Sequence, residues 1–594
     1  MEERKVLQGG EFLIETTDFK DVFIPEEFNE EQRMMAESAH DFVYKEVRPV
    51  IDRLDAHEEG LLAKLMKQAG ELGLLGVSVP EELGGFGQNY VTAGLISEEI
   101  SHGFSFSVAF SAHTGIATLP ILYFGNDAQK EKYVSKLATG EYVGSYCLTE
   151  PGAGSDANAG KTKAVLSADG KYYVLNGQKM WITNGGISDT HIVFAKIDDD
   201  KNLSAFIVES AWEGVQKGAE EHKMGIKGSS TTQIFYNDVK VPVENMLGER
   251  GAGFKMALYI LNIGRAKLAS ASVGACKAVI NESVRYTNER KQFGTLIANF
   301  PAIKHKLAQQ AILTFVTESA TYRALQATED SMQKYANEGM DKGQAALEGI
   351  RQYGIEASIL KVFASEALDY IVDEAVQIYG GMGYSAETHV ERAYRDSRIN
   401  RIFEGTNEIN RMVIVGELLK RAMKGELDLM TPAMEVAGEL MGIPDFGSGS
   451  TDFYESKFDL IKRWKKLVLM VAGAAIQKYM DKLNDEQELL FNAADMIISI
   501  YTGESALLRV QKLESMKGEE AVKLQKDMLD VFFYDKAWEM YKTGVDAVNS
   551  FAEGDEKMGM LMGVKRFTKT DGVNVKDARR RVADRIIELN KYPF

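Results

Sequence analysis

A change of hydrophobic periodicity divides this chain into segments that cannot all adopt one type of secondary structure. Over residues 30–140 and again over 251–424, apolar residues recur with the spacing of amphipathic helices. Between these regions, β-branched stretches such as 190–195 and 232–236 are separated by turns that contain Asn-Gly and Gly-Gly. The pattern predicts a mostly helical protein with one antiparallel β domain in the middle.

A loop rich in glycine, serine and proline at 442–450 precedes a last helical stretch. We therefore predict a further helical domain after this loop. The second helical region is predicted to form a helical bundle. The predicted boundaries are an N-terminal extension 1–29, a helical domain 30–143, a β domain 144–250, a helical bundle 251–425, a linker 426–450 and an extra helical domain 451–594.

The charge balance excludes one large class of function. Lysine and arginine total 69 against 87 aspartates and glutamates, which leaves a net charge of −18. A negative field of this size disfavours binding to phosphate backbones, so we expect no nucleic-acid partner. Only two cysteines are present and no apolar signal core follows the N-terminus, so we expect a reducing, cytoplasmic location and no disulfide framework.

Two observations bear on membranes and metals. The apolar run 467–476 is about half the ~20 residues that a spanning helix needs, so we expect no membrane crossing. Residues 462–471 are basic and amphipathic, which is typical either of a helix at a membrane surface or of a helix packed on its neighbours. No short motif predicts a metal site.

One string marks a ligand loop at the junction of the helical and β regions. Residues 146–156 read Tyr-Cys-Leu-Thr-Glu-Pro-Gly-Ala-Gly-Ser-Asp. Glycines let a backbone approach a ligand closely, and clefts between domains commonly hold ligands. Four more strings follow it in the chain, at 181–186, 290–294, 377–383 and 395–409. In order and spacing over residues 30–425, the five strings together resemble the acyl-CoA dehydrogenase family.

The resemblance implies that the chain binds FAD. Trp181 would lie near the dimethylbenzene edge of the flavin, Thr183 near N5, and Arg290 at the diphosphate, while Gln377, Gly380 and Gly381 would contact the adenosine half bound to a neighbouring subunit. An ordinary core tryptophan is the alternative for Trp181. The FAD-binding residues implied are Tyr146, Leu148, Thr149, Gly154, Ser155, Trp181, Thr183, Arg290, Gln292, Phe293, Gln377, Gly380, Gly381, Thr406 and Glu408.

The resemblance also implies the reaction, which is α,β-dehydrogenation of a fatty acyl-CoA to the trans-2-enoyl-CoA. Glu404 would be the catalytic base, and its backbone N–H would help to bind the thioester carbonyl. Some relatives carry the base at the position of Gly264, which cannot serve here. The alternatives are a helix-capping role for Glu404 and a surface ion pair for Arg265. The substrate-binding residues implied are Ser155, Asn262, Arg265 and Gly405.

Residues 107–118 would form a wall of the acyl-binding tunnel. They are rich in small side chains, with Ala112 where a medium-chain relative has a blocking acid, so we expect long-chain substrates. The extra helical domain resembles the very-long-chain branch and implies a homodimer. Electron-transferring flavoprotein would accept the electrons in β-oxidation; the alternatives are an acyl-CoA oxidase that uses oxygen, or a non-catalytic assembly role.

Overall fold

A computed structural model describes residues 4–441 and 450–594 of the chain. Helices dominate on both sides of a central β-sheet, as the periodicity predicts. The helices are α1 Glu30–Phe42, α2 Ile51–Asp55, α3 Leu61–Glu71, α4 Tyr90–Ile100, α5 Ser105–Ser111, α6 Thr118–Phe124, α7 Asp127–Gln129, α8 Ser135–Ala138, α9 Gly253–Glu289, α10 Pro301–Asn337, α11 Lys342–Gln352, α12 Gly354–Tyr379, α13 His389–Ser397, α14 Asn407–Met423, α15 Met430–Met441, α16 Phe453–Tyr479, α17 Gln487–Lys517, α18 Lys523–Phe551, α19 Gly554–Phe567 and α20 Val575–Leu589.

The main sheet has the strand order β6-β7-β3-β2-β4-β5-β8, with β1 beside β4. Most of its pairs are antiparallel, as predicted, but β4 pairs in parallel with both β1 and β2. A small hairpin, β9 and β10, follows α9. The strands are β1 Gly144–Cys147, β2 Lys163–Leu166, β3 Tyr172–Thr183, β4 Thr190–Ile197, β5 Ser204–Glu209, β6 Val215–Glu220, β7 Thr231–Pro242, β8 Met246–Leu247, β9 Lys291–Gln292 and β10 Thr295–Leu296.

The extra C-terminal helices share one hydrophobic core with the bundle. Phe315 of α10 and Ile359 of α12 belong to the same buried cluster as Trp464 of α16 and Leu507 of α17. Because a common core excludes water from both sets of helices at once, each set depends on the other for the burial of its apolar side chains. The predicted linker contains α15 at Met430–Met441, and its remaining residues 442–449 lie outside the described part of the chain.

The basic stretch 462–471 lies inside α16 and is packed against protein. Trp464 and Leu467 are fully buried, and Lys465 donates to the buried carboxylate of Glu504 at 2.7 Å. The apolar face of this helix is therefore covered by its neighbours, which supports the packed-helix interpretation over contact with a membrane surface.

One helical stretch, Ser105–Phe124, is long and apolar enough by composition to pass as a membrane span. Residues 107–118 of this stretch form the predicted tunnel wall, and no continuous apolar run in it predicts a membrane span. Within the structure 72% of this window is buried by the rest of the protein, which is the behaviour of a core helix.

The N-terminal extension is fastened by buried charges and aromatic contacts. Phe12 packs edge-on against Tyr501 of α17, with ring centroids 4.9 Å apart. Arg509, whose side chain is 2% exposed, pairs with Glu26 at 2.8 Å and with Glu318 of α10 at 2.6 Å. The two carboxylates compensate the buried positive charge of the guanidinium. If the guanidinium were removed, the carboxylates would be left as uncompensated buried charges.

We predict that Arg509→Ala destabilises the protein by about 3–5 kcal/mol, because it removes a cation that two carboxylates share within the core. Urea unfolding followed by tryptophan fluorescence measures this. Arg585→Ala is the matched control, since Arg585 forms an exposed pair with Glu588 and should cost less than ~1 kcal/mol. Equal losses for the two variants would contradict the prediction.

Candidate functional site

The loop between α13 and α14 carries Glu404 in an unusual backbone conformation. Glu404 and the following Gly405 have φ values of 58° and 79°, both in the left-handed region. A non-glycine residue in the left-handed region is strained, and contacts with the surrounding structure must compensate for that strain. Such residues cluster at functional sites. Thr406 caps α14, since its hydroxyl accepts a hydrogen bond from the N–H of Ile409 at 3.2 Å. Glu404 is therefore not the helix cap, and that alternative is wrong.

Three side chains hold the carbonyl oxygens of this loop. The Nε of Arg265 on α9 donates to the carbonyl of Glu404 at 3.1 Å. The carbonyl of Gly405 accepts from the Nζ of Lys361 on α12 at 2.7 Å and from the Nδ2 of Asn410 at 2.8 Å. Hydrogen bonds to charged donors are roughly twice as strong as neutral ones, so the two cations fix the loop firmly.

Arg265 and Asn262 were predicted to bind substrate. Arg265 contacts the loop of Glu404, Asn262 contacts Arg265, and neither is among the residues that line the cavity described below. The Oδ1 of Asn262 accepts from Arg265 at 2.9 Å. Arg265 is 4% exposed, so the alternative of a surface ion pair is wrong. Its contact with the Glu404 carbonyl makes it a positioning residue for the base.

The carboxylate of Glu404 is buried and lacks a local partner. Its Oε2 atom has no hydrogen-bond donor among the described residues. Burial raises the pKa of Glu404 to about 7, although the charges of Arg265 and Lys361 act in the opposite direction. A carboxylate with a pKa near neutrality is a stronger base than an exposed glutamate and is still ionised in a useful fraction at physiological pH.

Gly264 makes room for that carboxylate. A Cβ atom at this position would lie 2.7 Å from Oε2 and 2.9 Å from Cδ of Glu404. The position that carries the base in some relatives is thus directly beside the Glu404 carboxylate in this chain. A side chain at 264 and the present orientation of Glu404 exclude each other.

Glu404 lies at one end of a long apolar cavity with about 1250 Å³ of empty volume, open solvent at its mouth included. One stripe of α9 lines it from Gly264 through Leu268, Ala271 and Ala275 to Glu282. Five residues of the predicted tunnel wall line it as well, namely Ser107, Val108, Ser111, Ala112 and Ile116. The lining is mostly small and apolar beyond the catalytic loop.

Of the residues predicted at the flavin ring, Thr183 and Tyr146 are connected to this site, because Thr183 lines the cavity and the charge of Glu404 acts on Tyr146. Trp181 is 53% exposed and sits at a bulge of β3 with φ 59°, so its interpretation as a core tryptophan is wrong. Leu148 is buried, and the carbonyl of Thr149 accepts from the N–H of Met180 at 2.9 Å. Tyr146 is buried, and its hydroxyl has no partner among the described residues.

A buried ion pair shapes the glycine-rich loop. Glu150 accepts from the Nζ of Lys179 at 2.6 Å and from the backbone N–H groups of Lys161 at 2.6 Å and Thr162 at 3.1 Å. Gly154 and Ser155 lie exposed on this loop, and a Cβ at Gly154 would meet no atom within 4 Å. The contacts of Glu150 therefore hold the start of the loop in place, while Gly154 and Ser155 remain accessible to a ligand.

Six more of the predicted FAD ligands lie at the opposite end of the bundle. Arg290, Gln292 and Phe293 follow the C-terminus of α9 and are exposed, Phe293 by 93%. Gln377, Gly380 and Gly381 are exposed at the end of α12, which is next to them because Tyr286 and Tyr379 stack at 4.0 Å. At the helical rise, Arg290 is about 39 Å along α9 from Gly264. Thr406 and Glu408 stay beside Glu404 at the start of α14.

Some functional residues were missed by sequence reasoning. Lys361 and the pair Lys179–Glu150 act through contacts between separate elements, whereas Asn410 binds the carbonyl of Gly405 five positions before it. A signal for the lysines existed, since each is a lone charge within an otherwise apolar or alternating buried segment.

Comparison with known proteins places this geometry in a class of flavin-dependent oxidoreductases that act on acyl thioesters. The chain belongs to the acyl-CoA dehydrogenase family. The models of the family's N-terminal, middle and C-terminal domains match residues 29–141, 145–239 and 251–419, and a further acyl-CoA dehydrogenase C-terminal domain model matches 463–566.

Two relatives and one solved structure illustrate the similarity. A probable acyl-CoA dehydrogenase of Bacillus subtilis is 44% identical over 99% of this chain and 98% of its own length. The human mitochondrial very long-chain specific acyl-CoA dehydrogenase is 38% identical over 79% of this chain and 72% of its own length. The crystal structure of an acyl-CoA dehydrogenase complexed with FAD from Bacillus anthracis is 45% identical, with a TM-score of 0.96 over 99% of this chain and all of that one.

The family uses FAD, and the residues around Glu404 fit that cofactor. A flavin would cover the exposed indole ring of Trp181. It would also offer a hydrogen-bond partner to the buried Tyr146 hydroxyl, which has none among the described residues, and would have space beside the glycine-rich loop. Leu148, Thr149 and Thr183 would hold the ring, and Gly154 and Ser155 the adjoining chain.

We predict that Gly264→Ala lowers kcat by about 10²-fold or more, because the new methyl group displaces the Glu404 carboxylate and a 1 Å misplacement costs that much. The flavin content should stay normal, since Gly264 is not among the predicted FAD ligands. Steady-state kinetics on FAD-loaded protein measures the effect.

The control for this variant is Gly416→Ala in α14, where an added Cβ meets nothing within 4 Å and should raise helix stability slightly without changing kcat. Full activity of Gly264→Ala would show that the carboxylate is not confined as described.

Proposed function

We propose that this acyl-CoA dehydrogenase oxidises long-chain fatty acyl-CoA in the cytoplasmic β-oxidation pathway and passes electrons to electron-transferring flavoprotein. The observation that carries the proposal is the carboxylate of Glu404 at the head of a long cavity, because its Oε2 atom is buried and has no hydrogen-bond donor among the described residues. This arrangement provides both a base for the α-proton and a dry binding site for an acyl chain.

The chain's own residues account for the proton transfer. Glu404 takes the proton from the α-carbon, and the thioester carbonyl must accept hydrogen bonds so that the developing negative charge moves to oxygen. The N–H of Glu404 is the protein donor that the resemblance implies, and Arg265 fixes this peptide by holding its carbonyl. When bound, FAD supplies the acceptor for the hydride that leaves the β-carbon.

The length of the cavity supports long substrates. From Gly264 to Glu282 its lining follows α9 for about 27 Å at the helical rise. One leaflet of a bilayer core, which accommodates ordinary long acyl chains, is only ~15 Å thick. Each methylene buried in the cavity would contribute about 0.8 kcal/mol, so affinity should increase steadily with chain length.

Two separate groups of FAD ligands support a homodimer. Thr183 of the flavin-ring group lines the cavity together with Gly264, whereas Arg290 lies about 39 Å along α9 from Gly264, with Gln377 and its neighbours close to Arg290. In a two-fold dimer, the second group of one protomer can complete the cofactor site of the other. The exposed Phe293 and Tyr384, 93% and 90% accessible in the single chain, would then be covered.

The half-exposed Trp181 supports an external electron acceptor, because it offers a route from the flavin edge to a docked protein. Oxygen uptake by the pure protein with an acyl-CoA distinguishes this function from an oxidase. We expect slow uptake, and rapid reduction of added electron-transferring flavoprotein. Turnover with oxygen as fast as with that acceptor would favour the oxidase instead.

We predict that Glu404→Gln abolishes turnover while FAD stays bound. In the wild type, kcat/KM should fall tenfold per pH unit below about 7, because only the ionised carboxylate accepts the proton. The folded pKa is raised above the unfolded value of 4.5, so ionised Glu404 costs stability as pH rises through about 7. Glu404→Gln should therefore be more stable than the wild type at pH 8 and equal to it near pH 4.

Kinetic pH profiles and thermal unfolding at the two pH values provide the measurements. Residual turnover above a few per cent in Glu404→Gln would remove Glu404 from the role of base, whatever the stability result.

We predict that Ala275→Phe shortens the preferred substrate, because the ring fills the cavity midway along its α9 wall. Binding should weaken about fourfold for each methylene that no longer fits. Anaerobic titration with acyl-CoAs of increasing length, followed by flavin bleaching, measures affinity and reaction together. Short acyl-CoAs are the internal control and should bleach the variant and the wild type alike.

A peak of wild-type affinity at four carbons would contradict the long-chain proposal while leaving the dehydrogenase chemistry intact.

A further inference from the structure

A cluster of two histidines and a glutamate lies outside the catalytic machinery, where α1 meets α4. His40 of α1, Glu99 of α4 and His102 of the following turn each direct one potential ligand atom to a common point, and these atoms lie within 4.8 Å of one another. The Nδ1 of His40 is 2.9 Å from Oε2 of Glu99, and the Nδ1 of His102 is 3.8 Å from the same oxygen. Their positions 40, 99 and 102 match no short motif, so the sequence predicts no metal here.

The hydrogen bond of His102 determines which of its nitrogens is free. Its Nε2 lies 3.1 Å from the carbonyl oxygen of Gly274, which can only accept, so Nε2 carries the proton. The side chain is 10% exposed, and a neutral imidazole with its proton on Nε2 has its lone pair on Nδ1. Its Nδ1 lone pair therefore points into the cluster, buried and without a hydrogen-bond partner among the described residues.

A cation placed between two electron-pair donors that face each other would bind to both of them. At 3.8 Å the lone pair of His102 and the carboxylate of Glu99 make no hydrogen bond to each other. Histidine ligands of metals almost always donate their second N–H to a carbonyl or carboxylate, as His102 does towards Gly274. His102 is thus oriented as a metal-binding histidine would be, because the carbonyl of Gly274 already accepts a hydrogen bond from its second ring nitrogen.

We propose that His40, Glu99 and His102 bind one Zn²⁺ ion, with water at the fourth position. Two imidazole nitrogens and one carboxylate oxygen form a set that zinc takes in proteins, at ~2.0–2.2 Å from each ligand. Separations of 2.9 and 3.8 Å from Glu99 bracket the ~3.3 Å between tetrahedral ligands at those bond lengths.

The surroundings allow entry and limit affinity. A surface groove lined by Phe28, Ala36, Leu95, His40 and Glu99 leads to the cluster, and the side chain of His40 is 44% exposed. Arg48 and Lys277 add positive charge nearby, and Asp41 adds negative charge next to His40. Zinc binds only deprotonated ligands, so protons compete with the metal and binding should weaken as the pH falls.

A bound ion would connect α1 to the wall of the acyl cavity, because His102 lines that cavity beside Phe104. The site is distinct from Glu404, since neither His40 nor Glu99 lines the catalytic cavity.

Equilibrium dialysis of the FAD-loaded, chelator-treated full chain against ZnCl2, with metal and protein quantified together, tests the proposal. We expect one zinc per chain and a higher unfolding temperature with zinc than without it. Glu99→Gln and His40→Gln should each weaken binding at least about tenfold and lose the thermal shift. His222→Gln, an exposed histidine elsewhere, should bind zinc as the wild type does.

Two ligand variants are used because Glu99→Gln alters a more buried side chain and could misfold. The side chain of His40 is 44% exposed, so His40→Gln should fold normally. The absence of stoichiometric zinc in the wild type would overturn the proposal. Equal zinc binding by the wild type, Glu99→Gln and His40→Gln would overturn it as well, since the ion would then lie elsewhere.

Discussion

Two buried cations hold the peptide that carries the catalytic carboxylate. Glu404 and Gly405 have consecutive left-handed backbone conformations, and Arg265 and Lys361 bind their carbonyl oxygens. Strain of this kind costs of order 1–3 kcal/mol for each residue and persists only where the surroundings over-determine it. Because both cations stand on long helices of the shared core, packing far from the site fixes where the carboxylate lies. Burial lowers the pKa of Lys361 to about 7, so this anchor itself is sensitive to pH.

The apolar cavity performs two tasks with the same side chains. Its walls exclude water from Glu404, which raises the pKa of that base, and they provide the surface on which methylenes are buried. With the proposed function, a longer acyl chain would bind more tightly and would also exclude water from the site more completely. Gly264 permits this arrangement, because any side chain there would occupy the place of the carboxylate.

Much of the fold and the position of the base could be predicted from local patterns. Helical periodicity, alternating strands and the strings around Glu404 and Thr149 are properties of short segments. The contacts that anchor the loop could not, because Lys361 reaches Gly405 across 44 positions of sequence and Arg265 reaches Glu404 across 139. The basic helix 462–471 shows the same limit, since amphipathicity reveals an apolar face but not what covers it. The parallel pairing of β4 with β1 likewise depends on a crossover that no turn motif marks.

The ion pair between Glu26 and Arg509 joins residues 483 positions apart. During synthesis at about 5–20 residues per second, the carboxylate is made roughly half a minute to a minute and a half before its guanidinium exists. Throughout that interval the apolar side chains of Phe12 and Leu13 also lack the C-terminal helices that bury them. The segment that contains Phe12 and Leu13 is made early but is among the last to be packed. The nascent chain must therefore remain soluble until the C-terminal helices have been made.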